Sequence, residues 1–355
     1  MKSRAPLPWR DRSALVQLTL VRFREFVREP EAVFWVFIFP ILLAAGLGIA
    51  FRSRPIEISR IGVLSTAAGT PKVEGALRAD SALIVLALDD TAATNALRTG
   101  RIALLVVPGE DGTLEYRYDS ARPEGRTARL VVDRVVQRAA GRQDPVRVAD
   151  RTISERGSRY IDFVIPGLLG MNLMGSGIWG IGFSIVDARK RKLLKRLIAT
   201  PMSRAEYLAS FLLQRLVLLV FEVVTLVGFG ALAFGVPLRG SLALLAGICL
   251  LSSLAFGALG LLVASRARTM EGASGLMNLV MLPMWVLSGV FFSSANFPDA
   301  IQPFVQALPL TAVIDALRAN MLQGAGLATL GGELALITGW LVVCFALALR
   351  FFRWR

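Results

Sequence analysis

The sequence predicts an α-helical polytopic membrane protein with six transmembrane helices and a small α/β domain inserted outside the membrane. Three observations predict this class. First, 54% of the 355 residues are hydrophobic and the mean hydropathy is +0.58, above the composition usual in soluble domains. Second, the apolar residues form nearly uncharged runs of about 20 residues, the length that crosses a bilayer core about 30 Å thick. Third, one polar stretch, 52–160, interrupts these runs. A soluble globular enzyme is therefore excluded.

The distribution of charge predicts the topology. The net charge is +14, from 40 Lys and Arg against 26 Asp and Glu. Four short segments hold 19 basic and 7 acidic residues, and these segments are 1–31, 187–206, 266–272 and 350–355. Positively charged loops stay on the cytoplasmic side, so we expect a multi-pass protein of the cell (inner) membrane with both termini in the cytoplasm. The basic excess then sets topology, and no nucleic acid partner is predicted.

The composition also bounds the chemistry. Histidine is absent, which removes the usual general base and the commonest zinc ligand. Cys249 and Cys344 each lie inside an apolar run and cannot hold a metal alone. No stretch fits G-x-x-x-x-G-K-[ST], the loop that cradles ATP. We expect no enzyme, with no catalytic residue, cofactor or metal in this chain, and any active transport would draw on a partner chain or an ion gradient.

The N-terminal segment 1–31 precedes the predicted first transmembrane helix. Within it, 13–29 is expected to be an amphipathic helix lying on the lipid bilayer, and the alternative is an ordinary basic flank. Three of its side chains can reach lipid phosphates, namely Arg22, Arg24 and Arg28. The apolar run 32–51 follows as the first transmembrane helix, with Pro40 tolerated as a kink.

The polar stretch 52–160 is predicted to be an extracytoplasmic α/β domain. It holds 18 basic and 14 acidic residues, and a loop of this length crosses the membrane regardless of its charge. Short apolar or alternating runs predict strands at 61–65, 82–88, 102–107 and 114–118. Helical patterns lie at 71–80, 90–99 and 122–142. The order βαβαββα indicates one small α/β domain.

The remainder, 161–355, is predicted to carry transmembrane helices two to six. Their expected positions are 162–186, 208–235, 241–265, 273–292 and 331–350. Between the last two lies the Pro-rich region 293–330, whose apolar pieces are too short to cross. We expect this re-entrant region to form short helices that dip into the outer leaflet.

The cytoplasmic loop 187–206 has the pattern of a short amphipathic helix. Its apolar residues Leu193, Leu194, Leu197 and Ile198 fall on one face, six basic residues surround that face, and Pro201 ends the helix. Such a helix can lie on lipid or enter a groove of a partner. The alternative is a basic loop that only sets topology.

Polar residues inside the spans are candidates for a substrate path. Glu222 lies in the middle of an apolar run, where an unpaired carboxylate costs several kcal/mol. Arg215 is two helical turns earlier, about 10 Å along the axis, which predicts that the two side chains are too far apart for a direct pair. Glu222 could line the path, carry a proton or bond a neighbouring span. Asn172 and Asn278 are weaker path candidates, and Asp315 is expected to pair with Arg318.

Small residues at four-residue spacing mark helix faces that can approach closely. Ser176, Gly180 and Ser184 form one such row, and Ser253 with Gly257 forms another. The two interpretations are packing within one subunit and a dimer face between two copies.

Three stretches resemble a known family. LKRLIATPMSR (194–204), LPMWVLSGVFF (282–292) and LPLTAVIDALRANML (308–322) are similar to the signature stretches of ABC-2 permeases, the membrane subunits of type-2 ATP-binding-cassette exporters. A large domain between the first two spans resembles one branch of that family. Many relatives carry an acidic Glu-x-Glu-x-Gly stretch before the coupling helix, whereas here Asp187 precedes a basic run.

The resemblance implies a role for 189–201 as the coupling helix that docks on a cytosolic ABC ATPase, which binds the ATP and Mg. The residues implied in this contact are Leu193, Leu194, Lys195, Arg196, Leu197, Ile198, Thr200 and Pro201. The resemblance also implies that a second permease chain, identical or different, faces this one across the substrate path.

The expected function is therefore the permease subunit of an ATP-driven exporter of an amphipathic, drug-like or lipid-like substrate. The outer domain would guide substrate away or engage a periplasmic or cell-surface partner. One alternative is an ion-gradient-driven transporter that uses Glu222. The other is a membrane-anchored binding or assembly protein that acts through 52–160.

Overall fold

A computed structural model describes the chain at 14–51, 59–65, 70–109, 113–143, 157–190, 204–267 and 269–351. The chain divides into two compact units. One consists of Met1–Arg52 with Ile153–Arg355 and is a helical bundle, and the other is Ser53–Thr152. The described residues of the second unit contain strands as well as helices.

The helical bundle contains a surface helix and six helices long and apolar enough to cross a membrane. Helix α1 is Ala14–Arg28, and α2 is Pro30–Ala50, which includes a π-helical turn at Phe34–Ile38. The other long helices are α6 (Tyr160–Lys190), α7 (Arg204–Phe234), α8 (Leu242–Arg266), α9 (Met270–Leu287) and α12 (Gly331–Phe351). The predicted fold class is confirmed.

The segment between α9 and α12 is built from short helices. A single 3₁₀ turn, Ser294–Asn296, precedes α10 (Gln302–Ala307) and α11 (Pro309–Arg318), and a π turn continues α11 over Ala319–Gln323. The fifth span, predicted as 273–292, ends at Leu287 instead. The physical reason is the turn that follows, where Gly289 has φ 81°, a conformation that ends a right-handed helix.

Helix α6 is the central helix of the bundle. The most apolar stretch of α6 is 83% buried, against 17–56% for the corresponding stretches of the other five spans. Its N-terminal end is fixed by Asp162, whose carboxylate accepts from the backbone N–H groups of Gly157 and Arg159 and from the Arg159 guanidinium. The same carboxylate raises the pKa of Arg159, which also donates to the carbonyl oxygen of Gly235.

The second unit has the element order βαβαββα that the sequence predicts. Its strands are β1 (Ser59–Leu64), β2 (Leu83–Leu88), β3 (Leu104–Pro108) and β4 (Leu114–Arg117). Its helices are α3 (Thr70–Arg78), α4 (Asp90–Arg98) and α5 (Pro123–Ala139). The sheet order is β2-β1-β3-β4, with β4 antiparallel to β3 and the other pairs parallel.

The sheet of this unit is covered on both faces, as expected for parallel strands with helical crossovers. One face packs Ile61, Val63 and Leu104 against side chains from α3 and α5, such as Leu77 and Val132. The other face packs Ile102 and Leu105 against alanines of α4. The unit therefore has its own hydrophobic core.

Candidate functional site: a polar cluster inside the helical bundle

Four polar side chains from three helices meet in the interior of the bundle. Arg215 and Glu222 lie on α7, Ser176 on α6 and Ser253 on α8. The Arg215 Nη1 donates to Glu222 Oε1 at 2.8 Å, its Nη2 to Ser176 Oγ at 2.8 Å and its Nε to Ser253 Oγ at 3.0 Å. The Ser176 hydroxyl in turn lies 2.9 Å from Glu222 Oε2. One guanidinium thus connects α6, α7 and α8.

The cluster is buried and electrically balanced. The Glu222 side chain has no exposed surface and that of Arg215 is 14% exposed. Burying a carboxylate or a guanidinium alone at this depth has a large desolvation cost. The ion pair and its additional hydrogen bonds offset most of that cost. Both Glu222 oxygens and three Arg215 nitrogens are engaged in hydrogen bonds. The arrangement holds three helices in register.

The direct pair corrects the prediction that Arg215 and Glu222 are too far apart. That prediction compared backbone positions, and the two residues are indeed two turns apart on one face. Side chains on a helix lean toward its N-terminus, so Glu222 points back toward Arg215. The long arginine side chain covers the rest of the gap. Pairs at i and i+7 are therefore available to arginine in a span.

Asn172, the second path candidate, lies next to this cluster and bonds the first span. Its Nδ2 donates to the carbonyl oxygen of Val36 at 3.1 Å, and the Ser176 hydroxyl oxygen lies 2.7 Å from its backbone carbonyl oxygen. Val36 lies four residues before Pro40, which has no N–H to offer that carbonyl. The amide of Asn172 supplies a donor in its place, as membrane helices with internal prolines require. The sequence signal for this contact is the proline itself.

The structure brings Asn172 and Glu222 together but not Asn278. Asn172 and Glu222 border a void between α2, α6 and α7 that has no room for a water molecule. Asn278 is exposed on the surface of α9. In this conformation, then, the void beside Glu222 has no space for a substrate.

The small residues divide between the cluster and a close helix contact. Ser176 and Ser253 belong to the polar cluster, whereas Gly180 is exposed on α6 and Ser184 is half-buried there. A Cβ at Gly257 would lie 2.5 Å from the Ile181 side chain, so this glycine packs α8 against α6.

Two further glycines in this contact were not predicted. A Cβ at Gly260 would lie 2.6 Å from the carbonyl oxygen of Ile178, and one at Gly177 would lie 2.8 Å from Phe256. The residues of α6 that contact α8 therefore include Gly177 and Ile181, each one position after a residue of the predicted row Ser176, Gly180 and Ser184.

The predicted coupling residues, 193–201, lie outside the described residues. Helix α6 reaches Lys190 at its C-terminal end, so the first residues of the predicted loop 187–206 belong to the most buried helix of the bundle. For the part of the chain with described side chains, no group of three His, Cys, Asp or Glu side chains could hold a metal ion.

The expected pair between Asp315 and Arg318 does not form among the described residues. Arg318 donates to the carbonyl oxygens of Phe163 and Gly289, and its guanidinium lies over the Phe163 ring. Asp315 instead lines a cleft of about 320 Å³ that Glu333 of α12 also borders. The N–H groups of Arg318 are hydrogen-bonded to carbonyl oxygens of α6 and of the turn after α9, so Arg318 does not pair with Asp315.

The model of the family described as ABC-2 family transporter protein matches residues 31–350. ABC transporter G family member 20 of Dictyostelium discoideum is 28% identical over 194 residues, which are 54% of this chain and 26% of that protein.

Two bacterial proteins are also similar. The inner membrane transport permease YhhJ of Escherichia coli K12 is 28% identical over 146 residues, 41% of this chain and 39% of the relative. The probable multidrug ABC transporter permease YbhS of the same organism is 28% identical over 165 residues, 46% of this chain and 43% of the relative. Each of these three alignments spans less than half of the relative's length.

Proposed function

The chain belongs to the ABC-2 family of transporter proteins, and from this premise we propose that it is the permease subunit of an ATP-driven exporter. The observation that carries the proposal is the family match over 31–350, which runs from the first candidate span to the last. The sequence contains no G-x-x-x-x-G-K-[ST] loop, and in this proposal a partner ATPase binds the ATP and Mg.

Coupling to that ATPase would run through α6. This helix has 31 residues, about 46 Å at 1.5 Å per residue, and its inner end leads directly into the basic loop 187–206. A partner that moves the loop would therefore move the central helix of the bundle, a rigid-body route by which nucleotide binding changes the membrane part. The apolar residues Leu193, Leu194, Leu197 and Ile198 would enter the groove of the ATPase.

The substrate path in this proposal lies between two permease chains. Within one chain the charges at Arg215 and Glu222 cancel, which leaves mainly apolar surface for the path. Gly180 of α6 and Asn278 of α9 are exposed, Ser184 of α6 is half-buried, and all three remain candidates for the face toward the second chain. Apolar walls suit an amphipathic, drug-like or lipid-like substrate, and the name of one relative, a probable multidrug permease, agrees with this class.

The ion-gradient alternative needs Glu222 to take up and release a proton. The structure supports a different role, because both carboxylate oxygens are held by Arg215 and Ser176. The alternative of a membrane-anchored binding protein, acting through 52–160, needs the spans only as an anchor. A buried polar cluster that ties three spans together exceeds what an anchor requires.

Inside-out vesicles distinguish these alternatives. The permease and its ATPase are expressed together, and uptake of fluorescent amphipathic dyes into the vesicles is followed after addition of ATP. We expect uptake that vanadate abolishes and a protonophore leaves unchanged. Uptake that collapses with the protonophore while ATP remains would instead support the gradient-driven alternative.

Substitutions in the coupling loop test the contact with the ATPase. We expect Leu197→Asp, or Lys195→Glu with Arg196→Glu, to release the ATPase from the purified permease while the permease itself stays folded. Arg98→Glu, which changes charge by the same sign in the second unit, is the control and should retain the ATPase. Retention of the ATPase by both loop variants would refute the coupling assignment.

A further inference from the structure

Arg318 joins three separate parts of the bundle. It lies at the end of α11, and its Nη2 donates to the Gly289 carbonyl oxygen at 2.6 Å in the turn after α9. Its Nε and Nη2 lie 3.3 and 3.2 Å from the Phe163 carbonyl oxygen in the first turn of α6. The guanidinium carbon is 3.4 Å from the centre of the Phe163 ring, a cation–π geometry.

The elements around Arg318 are already in close contact. The Tyr160 hydroxyl donates to the Phe291 carbonyl oxygen at 2.9 Å. A Cβ at Gly167 would lie 2.5 Å from the Val290 carbonyl oxygen, so α6 meets the 289–291 turn backbone to backbone. The end of α6 and this turn therefore move together in any case. Helix α11 also packs directly on α6, since a Cβ at Gly170 would lie 2.8 Å from the Ile314 side chain. What Arg318 adds is a polar connection from the C-terminal end of α11 to both α6 and the turn.

The charge of Arg318 is more than this packing requires. In the part of the chain that the structure describes, Arg318 forms no direct ion pair: its N–H donors bond carbonyl oxygens, its face lies on one ring, and the Asp315 carboxylate acts on it only from a longer distance. An apolar side chain of similar volume would fill such a site without the cost of desolvating a guanidinium. The guanidinium instead presents a planar fork of N–H donors, which suits two carbonyl oxygens that belong to different elements. Geometry of this kind specifies position.

We propose that Arg318 is a positioning residue that transmits movement of α6 to α11 during transport. This inference rests on the proposed function, in which the ATPase moves the inner end of α6. Because one guanidinium bonds α6 and the 289–291 turn at once, α11 follows when α6 shifts. Without the fork, α11 would keep only apolar contacts with α6, which do not fix its position along that helix, so it would follow α6 less closely.

Hydrogen exchange of the intact permease–ATPase complex tests this role. Exchange of the 302–323 peptides is compared between the nucleotide-free and the ADP–vanadate-trapped complex. We expect a difference between the two states in the wild type that Arg318→Gln reduces by at least half. Dye transport should fall about tenfold, within the usual range of coupling free energies, while ATP hydrolysis stays within about twofold. Arg318→Lys, which keeps a charge but has no fork, should restore part of the transport.

A merely structural role predicts a different pattern. It would raise exchange of 302–323 equally in both states of Arg318→Gln and leave the nucleotide-dependent difference intact, which would overturn the proposal. Wild-type transport by the variant would overturn it as well. Arg266→Gln is the matched control, because Arg266 stacks on the Phe351 ring at the opposite end of the bundle. Wild-type complex without ATP hydrolysis would instead refute the proposed function, and this inference with it.

Discussion

At the scale of single residues, the Arg215–Glu222 pair is the most constrained contact in the bundle. We expect Glu222→Gln or Arg215→Met alone to destabilise the protein by about 3 kcal/mol, because each leaves an uncompensated buried charge. The double variant Arg215→Met with Glu222→Gln should recover much of that loss. Thermal unfolding in detergent measures all three, and Ser253→Ala, which loses one hydrogen bond, should cost about 1 kcal/mol.

The double variant decides the interpretation of this pair. Recovery of stability would show that Arg215 and Glu222 compensate each other, as their 2.8 Å contact indicates. Additive losses, with no recovery in the double variant, would contradict the account. In that case each side chain would act independently of the other.

The Asn172–Val36 hydrogen bond gives a second residue-scale prediction. We expect Asn172→Leu to destabilise the bundle by about 1 kcal/mol, because the Val36 carbonyl loses its donor in an apolar setting. Pro40→Ala restores a backbone N–H four residues after Val36. The cost of Asn172→Leu should therefore shrink in the Pro40→Ala background, as measured by thermal unfolding. An equal cost in both backgrounds would show that the proline does not determine the need for Asn172.

Sequence reasoning found the residues of this cluster but not their contacts. Hydropathy alone picks out Glu222, since a carboxylate inside an apolar run is rare. The distance between Arg215 and Glu222 along the helix axis does not reveal their pairing, because it takes no account of the direction in which the side chains point. The Asn172 contact does not follow from interpreting Pro40 as a kink alone. It follows from the missing N–H of Pro40, which leaves the Val36 carbonyl in need of another donor.

At the scale of secondary-structure elements, glycines set the approach of α6 and α8. We expect Gly260→Ala to destabilise the bundle by about 1–3 kcal/mol, because the added methyl meets the Ile178 carbonyl and the backbones must separate. Gly247→Ala on the same helix is the control, since a Cβ there meets open space. Equal thermal stability of the two variants would contradict this account of the contact.

The elements themselves were largely predictable. The beginnings and ends of the spans follow the apolar runs, and the strands of the second unit follow short buried runs bounded by turn residues. The exception is α9, which stops at Leu287 although the apolar run continues. A single glycine with positive φ determined that boundary, and hydropathy does not detect it. The packing face of α6 was predicted one position away, because small residues mark several faces of that helix.

At the scale of the whole molecule, the chain combines a helical bundle with a separately cored α/β unit. The family match over 31–350 begins and ends in this bundle, which contains the polar cluster and the contacts of Arg318. In the proposed mechanism α6 connects these features, since it carries Ser176, Asn172 and Phe163 and leads into the coupling loop. Sequence and family resemblance predicted this plan, while the connections between helices required coordinates.

The central claim is that this chain works with a separate ATPase. The most direct measurement is gentle detergent purification from native membranes, with mass spectrometry of the co-purified proteins and an ATPase assay of the eluate. The account predicts a stoichiometric subunit that carries a P-loop, together with vanadate-sensitive hydrolysis. A permease that purifies alone in several detergents, without hydrolysis, would contradict it.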